Sequence, residues 1–356
     1  TEQENEFKLS DIIQAYLNEM ENSIGSRTYK EYQACLDLLK TVIGDVPVNQ
    51  ITRLKINEFK NTIQKLPPNR NKDKRYRDKS TSEIIEIAEE TMSVTSVNKN
   101  LTRASQCFNW AKINGYMTEN PAENISLKGQ KRPQQQRSEF NIEDLQNIFQ
   151  SEEYITDNFT HSYQFYLPVI ALFTGMRIEE ICQLHLGDIY SIDGTWVFDL
   201  FENRDDKRKT QAGQRYIPLH SFLLEELKLP KRKKDLQKDN QTRLFPELRQ
   251  NKFGSYSFQA SKWFNERYRK KIGIQDRTKN FHSFRHTFID HLKQKNVDPH
   301  ILAELVGHEF ESETLGRYGK KYQPNVLYNN VVKYIDFDQQ INLSHLKNSK
   351  FVITNE

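Results

Sequence analysis

"ALFTGMRIEEICQL", residues 171–184, reads as the end of one buried helix, a break at Thr174-Gly175 and the start of a second helix. The residues ahead of it, "YQFYLPVI", continue the apolar run backwards, so the first helix is expected to be covered on most sides. In the second, Ile178, Ile181 and Leu184 recur at helical spacing and predict an inward stripe. Gly175 suits a helix end, where a left-handed backbone is needed. Arg177 stands at the second helix's start. There it opposes the helix dipole, so it calls for an anion or for a nearby carboxylate such as Glu180.

Outward from that point the chain divides in two. Residues 6–127 read as a helical block. "LSDIIQAYLNEME" places Ile12, Ile13, Tyr16, Leu17 and Met20 on one face, with Ser10 as the expected cap. "SRTYKEYQACLDLLKTVIG" ends at Gly44, and "ITRLKINEFKNTIQKL" is stopped by Pro67-Pro68. "SVTSVNKNLTRASQCFNWAKINGY" predicts a long helix with Val97, Leu101, Cys107, Phe108 and Ala111 inward and Asn98, Lys99 and Arg103 on another face. Residues 128–138, whose "KGQKRPQQQR" lacks periodicity, read as a basic linker containing Lys131 and Arg132. From 139 to 335 a second domain follows. It is mostly helical, with "TWVFDL" (195–200) and "QRYIPL" (214–219) read as a β-hairpin. The tail, 336–356, has no clear pattern. The fold class is thus mainly α with a small β-hairpin or sheet, in two domains.

Composition narrows the function. The 356 residues hold 52 basic and 48 acidic side chains, a net charge of +4, yet 21 Phe and 16 Tyr mark a folded chain. The basic residues cluster, notably in "NRNKDKRYRDK" (69–79), in the linker, in "KRKK" (231–234) and in "RYRKK" (267–271), which points to a polyanion partner. No apolar run is long enough for a membrane span. Cys35, Cys107 and Cys182 are far apart and without metal spacing, as in a reduced intracellular protein.

Three further stretches carry chemistry. In "FHSFRHTFIDHL" (281–292), Phe284, Phe288 and Leu292 form one stripe, while His282 and Arg285 share another face. His282, His286 and His291 suggest a metal, but no Glu follows His282 and no third ligand stands at a suitable spacing. In "ILAELVGHE" (301–309), Gly307 is a helix C-cap that holds His308 just beyond it. The hairpin turn "NRDDKRKTQAGQ" presents Lys207, Arg208 and Lys209. Finally "TLGRYGKKYQ" (314–323) offers two tyrosines, Tyr318 and Tyr322.

Taken in order, Arg…Lys…His-x-x-Arg…Gly-His…Tyr resembles the phage-integrase type of tyrosine recombinase, and the block at 6–127 resembles the core-binding domain of those enzymes. The resemblance implies a C-shaped clamp on DNA and site-specific strand exchange through a covalent phosphotyrosine. Arg177, Arg285 and His308 would contact the scissile phosphate. His282 would take the proton of Tyr318, and Lys209 would protonate the leaving 5′-hydroxyl. Glu180 would brace the site. The family's nucleophile follows this His by nine or ten residues, which selects Tyr318 over Tyr322; Tyr322 would then pack the helix or lie near DNA.

Two arginines can neutralise the phosphate and the ester conserves bond energy, so neither a metal nor another cofactor is expected. Asn98, Lys99, Arg103, Lys131 and Arg132 are the expected DNA contacts. The implied partners are double-stranded attachment sites, three further copies in a synaptic tetramer, and accessory DNA-bending or directionality proteins. The implied location is cytoplasmic, on the nucleoid, with no membrane. The tail would dock on a neighbouring protomer, and the biological role would be to integrate or excise a mobile element such as a prophage or genomic island. Two alternatives share the residues: a type IB topoisomerase-like DNA-relaxing enzyme, and a non-catalytic DNA-binding regulator.

Overall fold

In a computed structural model, residues 7–128, 138–201, 213–308 and 321–353 are described. The chain divides into two compact units, Thr1–Lys131 and Arg132–Glu356.

The first unit is a helical bundle of α1 (Leu9–Met20), α2 (Ser26–Ile43), α3 (Arg53–Lys65), α4 (Thr81–Ile87) and α5 (Val94–Ile113). The long α5 packs against α1, α2 and α3. Its Val97, Leu101, Cys107, Phe108 and Ala111 are buried, as their spacing predicts. Gly44 closes α2 with φ +85°, a conformation open to glycine, and Leu66 leaves α3 in extended backbone ahead of the two prolines. Ser10 does not cap α1. It lies inside the helix with its backbone N–H on Asp45 Oδ1 (2.8 Å), and the carboxylate of Asp11 receives the Lys8 N–H (2.9 Å) at the true start. An acidic side chain in the first turn suits the helix dipole as well as a cap does.

The second unit opens with α6 (Ile142–Phe149), α7 (Glu152–Ile155), α8 (Ser162–Thr174) and α9 (Ile178–Cys182). Helix α8 is buried at Tyr163 and from Phe165 to Thr174, and α13 (Ser283–Gln294) packs along it. At the α8 end Gly175 has φ +63°, and a Cβ there would stand 2.5 Å from the Phe288 ring. Glycine is therefore required for the backbone and for the close α8–α13 approach.

Strands β1 (Ile189–Ile192), β2 (Thr195–Asp199) and β3 (Tyr216–Pro218) form an antiparallel sheet in that order. The β2–β3 pairing is the expected hairpin; β1 is an addition. It is joined to β2 by Asp193 (φ +46°) and Gly194 (φ +83°), the pair of left-handed residues that a two-residue hairpin turn demands. Then come α10 (Leu229–Lys238), α11 (Ser257–Lys262), α12 (Arg269–Lys271), α13, α14 (Pro299–Val306), α15 (Pro324–Asn330) and α16 (Phe337–Gln340).

Residues 336–353 correct the expectation of a tail reaching for a neighbour. They lie on the unit's own core, with Phe337, Ile341, Leu343, Leu346 and Val352 buried in it. Polar contacts fix them there: Tyr166 Oη donates to the Phe351 carbonyl (2.7 Å), and Ser349 Oγ to Asp157 Oδ1 (2.7 Å). The sequence hid this because short helical turns and the links between them carry the apolar residues, leaving no period to read. Leu346→Ala is expected to lower stability by about 2–4 kcal/mol in denaturant unfolding, independent of protein concentration. A loss seen only at concentrations where chains self-associate would instead place the segment on a neighbour.

Candidate active site

The site is assembled around the C-terminal end of α14. A helix end leaves carbonyls without intrahelical donors and carries partial negative charge, so it attracts cations. Here three successive carbonyls each receive an arginine. Arg215 Nε donates to Leu305 O (2.7 Å), Arg285 Nη2 to Val306 O, and Arg177 Nη2 to Gly307 O (3.3 Å). Gly307, with φ +70°, turns the chain out of the helix, and the His308 N–H closes back on Ala303 O (2.9 Å).

Glu180 ties two of the arginines together. It is 5% exposed and lies in the first turn of α9. Its Oε1 accepts from Arg177 Nη1 (2.9 Å) and Arg215 Nη1 (3.3 Å). Its Oε2 accepts from the Arg177 backbone N–H (2.9 Å) and Arg215 Nη2 (3.0 Å). Arg177 thus has its carboxylate, yet its side chain remains 41% exposed, with donors still facing outward. Glu179 turns the other way, and its carboxylate accepts the Tyr256 and Ser257 N–H groups (2.8 and 3.1 Å) ahead of α11. Helix α9 is therefore anchored on both sides.

Arg285 is 2% exposed, deeper than a shared face with His282 implies, and its Nη1 also donates to the Gly175 carbonyl (2.9 Å). Burial, then the charge of Arg177, lowers its pKa to about 9, which leaves it cationic at neutral pH. His308 is exposed at the rim. Partial burial of its ring, then the charges of Arg285, Arg177 and Arg215, lowers its pKa, favouring the neutral imidazole near neutrality. Three guanidiniums face one carboxylate, so the centre has a surplus of positive charge that an anion would offset.

His282 precedes α13, and its ring meets the His286 ring edge-on at 4.9 Å between centroids. His291 instead pairs with Asp336 Oδ1 (3.0 Å) and packs on Phe337. Lys209 and Tyr318 lie outside the described residues, as do Lys131 and Arg132. Tyr322 is 37% exposed, with its backbone N–H on Glu304 Oε1 (2.7 Å). Arg215 is the residue that sequence reasoning missed. It is 1% exposed at the start of β3, and its signal was a charged residue beside an apolar strand.

Two expected DNA contacts in the first unit are engaged within the unit itself. Asn98 clips the chain after α5: its Nδ2 donates to Leu127 O (3.0 Å) and its Oδ1 accepts the Leu127 N–H (2.7 Å). Arg103, with its side chain 11% exposed, lies over the Tyr32 ring and donates to Glu31 Oε2 (3.1 Å). Lys99 also holds Glu31 (2.6 Å), but its side chain stays 48% exposed. The same spacing that put these residues on one face put them against α2 and the returning chain.

The family model described as Phage integrase family matches residues 140–324, and the Phage integrase SAM-like domain matches 8–127. The chain belongs to the phage integrase family. Within that family it is a tyrosine recombinase, an enzyme of site-specific DNA recombination. A tyrosine recombinase of Thermosipho africanus is 24% identical over 294 residues, 81% of this chain and 86% of the relative. Tyrosine recombinase XerA of Pyrococcus horikoshii is 30% identical over 141 residues, 39% of this chain and 44% of the relative. A lambda integrase tetramer bound to a Holliday junction shares the fold, with a TM-score of 0.59 at 19% identity over 90% of this chain and 82% of that one. Among the described residues no helix is long and apolar enough to cross a membrane.

Glu180 supplies a pH test. Burial alone would raise its pKa, but Arg215, its hydrogen bonds and Arg177 outweigh that and hold it at about 2, below the ordinary 4.5. A depressed carboxyl pKa stabilises the fold above the unfolded value, and that contribution is lost as pH falls towards the folded one. Between about pH 5 and pH 2, wild type should therefore lose about 3 kcal/mol more stability than Glu180→Gln in denaturant unfolding. Parallel pH profiles would contradict the pairing.

Proposed function

We propose that this recombinase cuts and rejoins DNA at specific sites through a covalent 3′-phosphotyrosine on Tyr318, and that it integrates or excises a mobile element. The observation that supports this most is the convergence of Arg177, Arg285 and His308 on the end of α14, a cationic centre with outward-facing donors at its rim. Displacement at a phosphodiester builds negative charge on the non-bridging oxygens, and fixed donors stabilise that charge without reorganising. Arg177 and Arg285 supply planar forks of donors that are charged at neutral pH. A neutral His308 donates one further hydrogen bond. Glu180 and Arg215 position Arg177 without touching DNA.

Tyr318 attacks the phosphorus as His282 takes its phenolic proton, and the 5′-oxygen leaves with a proton from Lys209. The reverse sequence, with a 5′-hydroxyl from the partner duplex as nucleophile, reseals the strand and frees the tyrosine. Energy is conserved in the ester throughout. The first unit serves as the core-binding domain and the second as the catalytic domain, and each contacts the duplex. Lys99, Lys131 and Arg132 position the phosphate backbone. A tetramer of the kind described for lambda integrase on a Holliday junction is the proposed synaptic assembly.

Covalent trapping on a nicked duplex that carries the attachment core tests the assignment. Wild type and Tyr322→Phe are expected to form a protease-sensitive DNA adduct, and Tyr318→Phe none. An adduct lost only in Tyr322→Phe would move the nucleophile. No adduct from wild type on a core that it binds would favour the DNA-binding regulator.

A further inference from the structure

The basic run at 69–79 has no part in the centre just described, yet it is built into the first unit as a folded element. Its neck is closed by the Met92 N–H on the Leu66 carbonyl (2.8 Å), and Tyr76 is buried as its anchor. Asp73 accepts the Arg75 N–H (3.0 Å), and Asn69 and Asp78 make the left-handed turns (φ +54° and +59°). Between this element, α2 and the start of α4 lies an open cleft of about 750 Å³.

Five cations line it, Lys30, Arg70, Lys72, Arg77 and Lys79, against the carboxylates of Asp37 and Asp73. Asp73 is already engaged by Arg75, which also holds Glu89 (3.1 Å). Glu83 is taken by Ser80 at the start of α4, and none of the carboxylates of 83–90 lines the cleft. Arg70 is half-buried, and among the described residues no carboxylate pairs with it.

We infer that this cleft is a docking site for the phosphate backbone of duplex DNA, held by Arg70, Lys72, Arg77 and Lys79. The inference rests on the recombinase reading and locates the helical unit's main backbone contact. Asn98 and Arg103 are consumed inside the unit, which leaves α5 with Lys99 alone from the expected set. The cleft supplies the missing charge. Four of its cations come from the 69–79 element and Lys30 from α2, and together they line an open trough rather than an enclosed pocket. That suits a row of phosphates better than a single small anion. A turn fixed by Tyr76 also loses less freedom on binding than an unstructured basic loop.

The test is the salt dependence of binding to a fluorescent duplex of arbitrary sequence, because phosphate contacts are independent of sequence. Wild type is compared with the combined Arg70→Gln, Lys72→Gln, Arg77→Gln and Lys79→Gln variant. Each lost contact should reduce the slope of log affinity against log salt by about 0.9, so the combined variant should lose about 3.6. Should the combined variant unfold, Arg77→Gln and Lys79→Gln alone, both at exposed positions, should each lose about 0.9. An unchanged slope in folded variants overturns the inference and leaves the recombinase reading standing. A wild-type chain that does not bind the duplex even at low salt overturns both.

Discussion

Everything in the second unit that bears on chemistry depends on how the last turn of α14 is satisfied. A buried helix end cannot leave its carbonyls unpaired, and a buried arginine cannot leave its donors unpaired. This fold sets one need against the other: Leu305, Val306 and Gly307 accept from Arg215, Arg285 and Arg177. Glu180 then joins two of those arginines from the opposite side. Arg285 also reaches Gly175, so the break between α8 and α9 is tied to the same point. The result is rigid because each element is held by groups from another. It is also electrically incomplete, with more cations than carboxylates, which is the property a phosphate site needs.

The two units solve opposite problems with the same residue type. At the centre of the second, Arg215 and Arg285 are buried and fixed, and Arg177 stays partly exposed beside His308 at the rim. In the first, Arg103 is held over Tyr32 against Glu31, while the cations of the 69–79 element stay at the surface. Fixed, desolvated charge discriminates a transition state from its ground state. Hydrated, spread charge holds a long polyanion at low cost in desolvation.

Much of this was legible in the sequence. The inward stripes of α5 and α13 followed from spacing, Gly44 and Gly307 from helix-end chemistry, and the β2–β3 pair from alternation. The order of Arg177, His282, Arg285 and His308 was specific enough to name the family. What failed did so for physical reasons. Strand β1 was passed over although Asp193-Gly194, flanked by apolar residues, is a strong hairpin signal. Arg215 was passed over because its partners, Glu180 and Leu305, are distant in sequence. Asn98 and Arg103 had the right face but the wrong exposure, and a face says nothing of what packs on it. The segment 336–353 carries its apolar residues in turns without a period, so its place on the core could not be read.

The central claim is that Arg177 acts by neutralising charge on a phosphate. It is tested most directly by cleaving a duplex whose scissile phosphate is replaced by an uncharged methylphosphonate. On the ordinary phosphodiester, Arg177→Ala should cut at least ~100-fold more slowly than wild type. On the methylphosphonate, where that charge is absent, the variant should come within about tenfold of wild type. An equal defect on both substrates, in a variant whose unfolding midpoint is unchanged, would contradict the account and leave Arg177 a merely structural partner of Glu180.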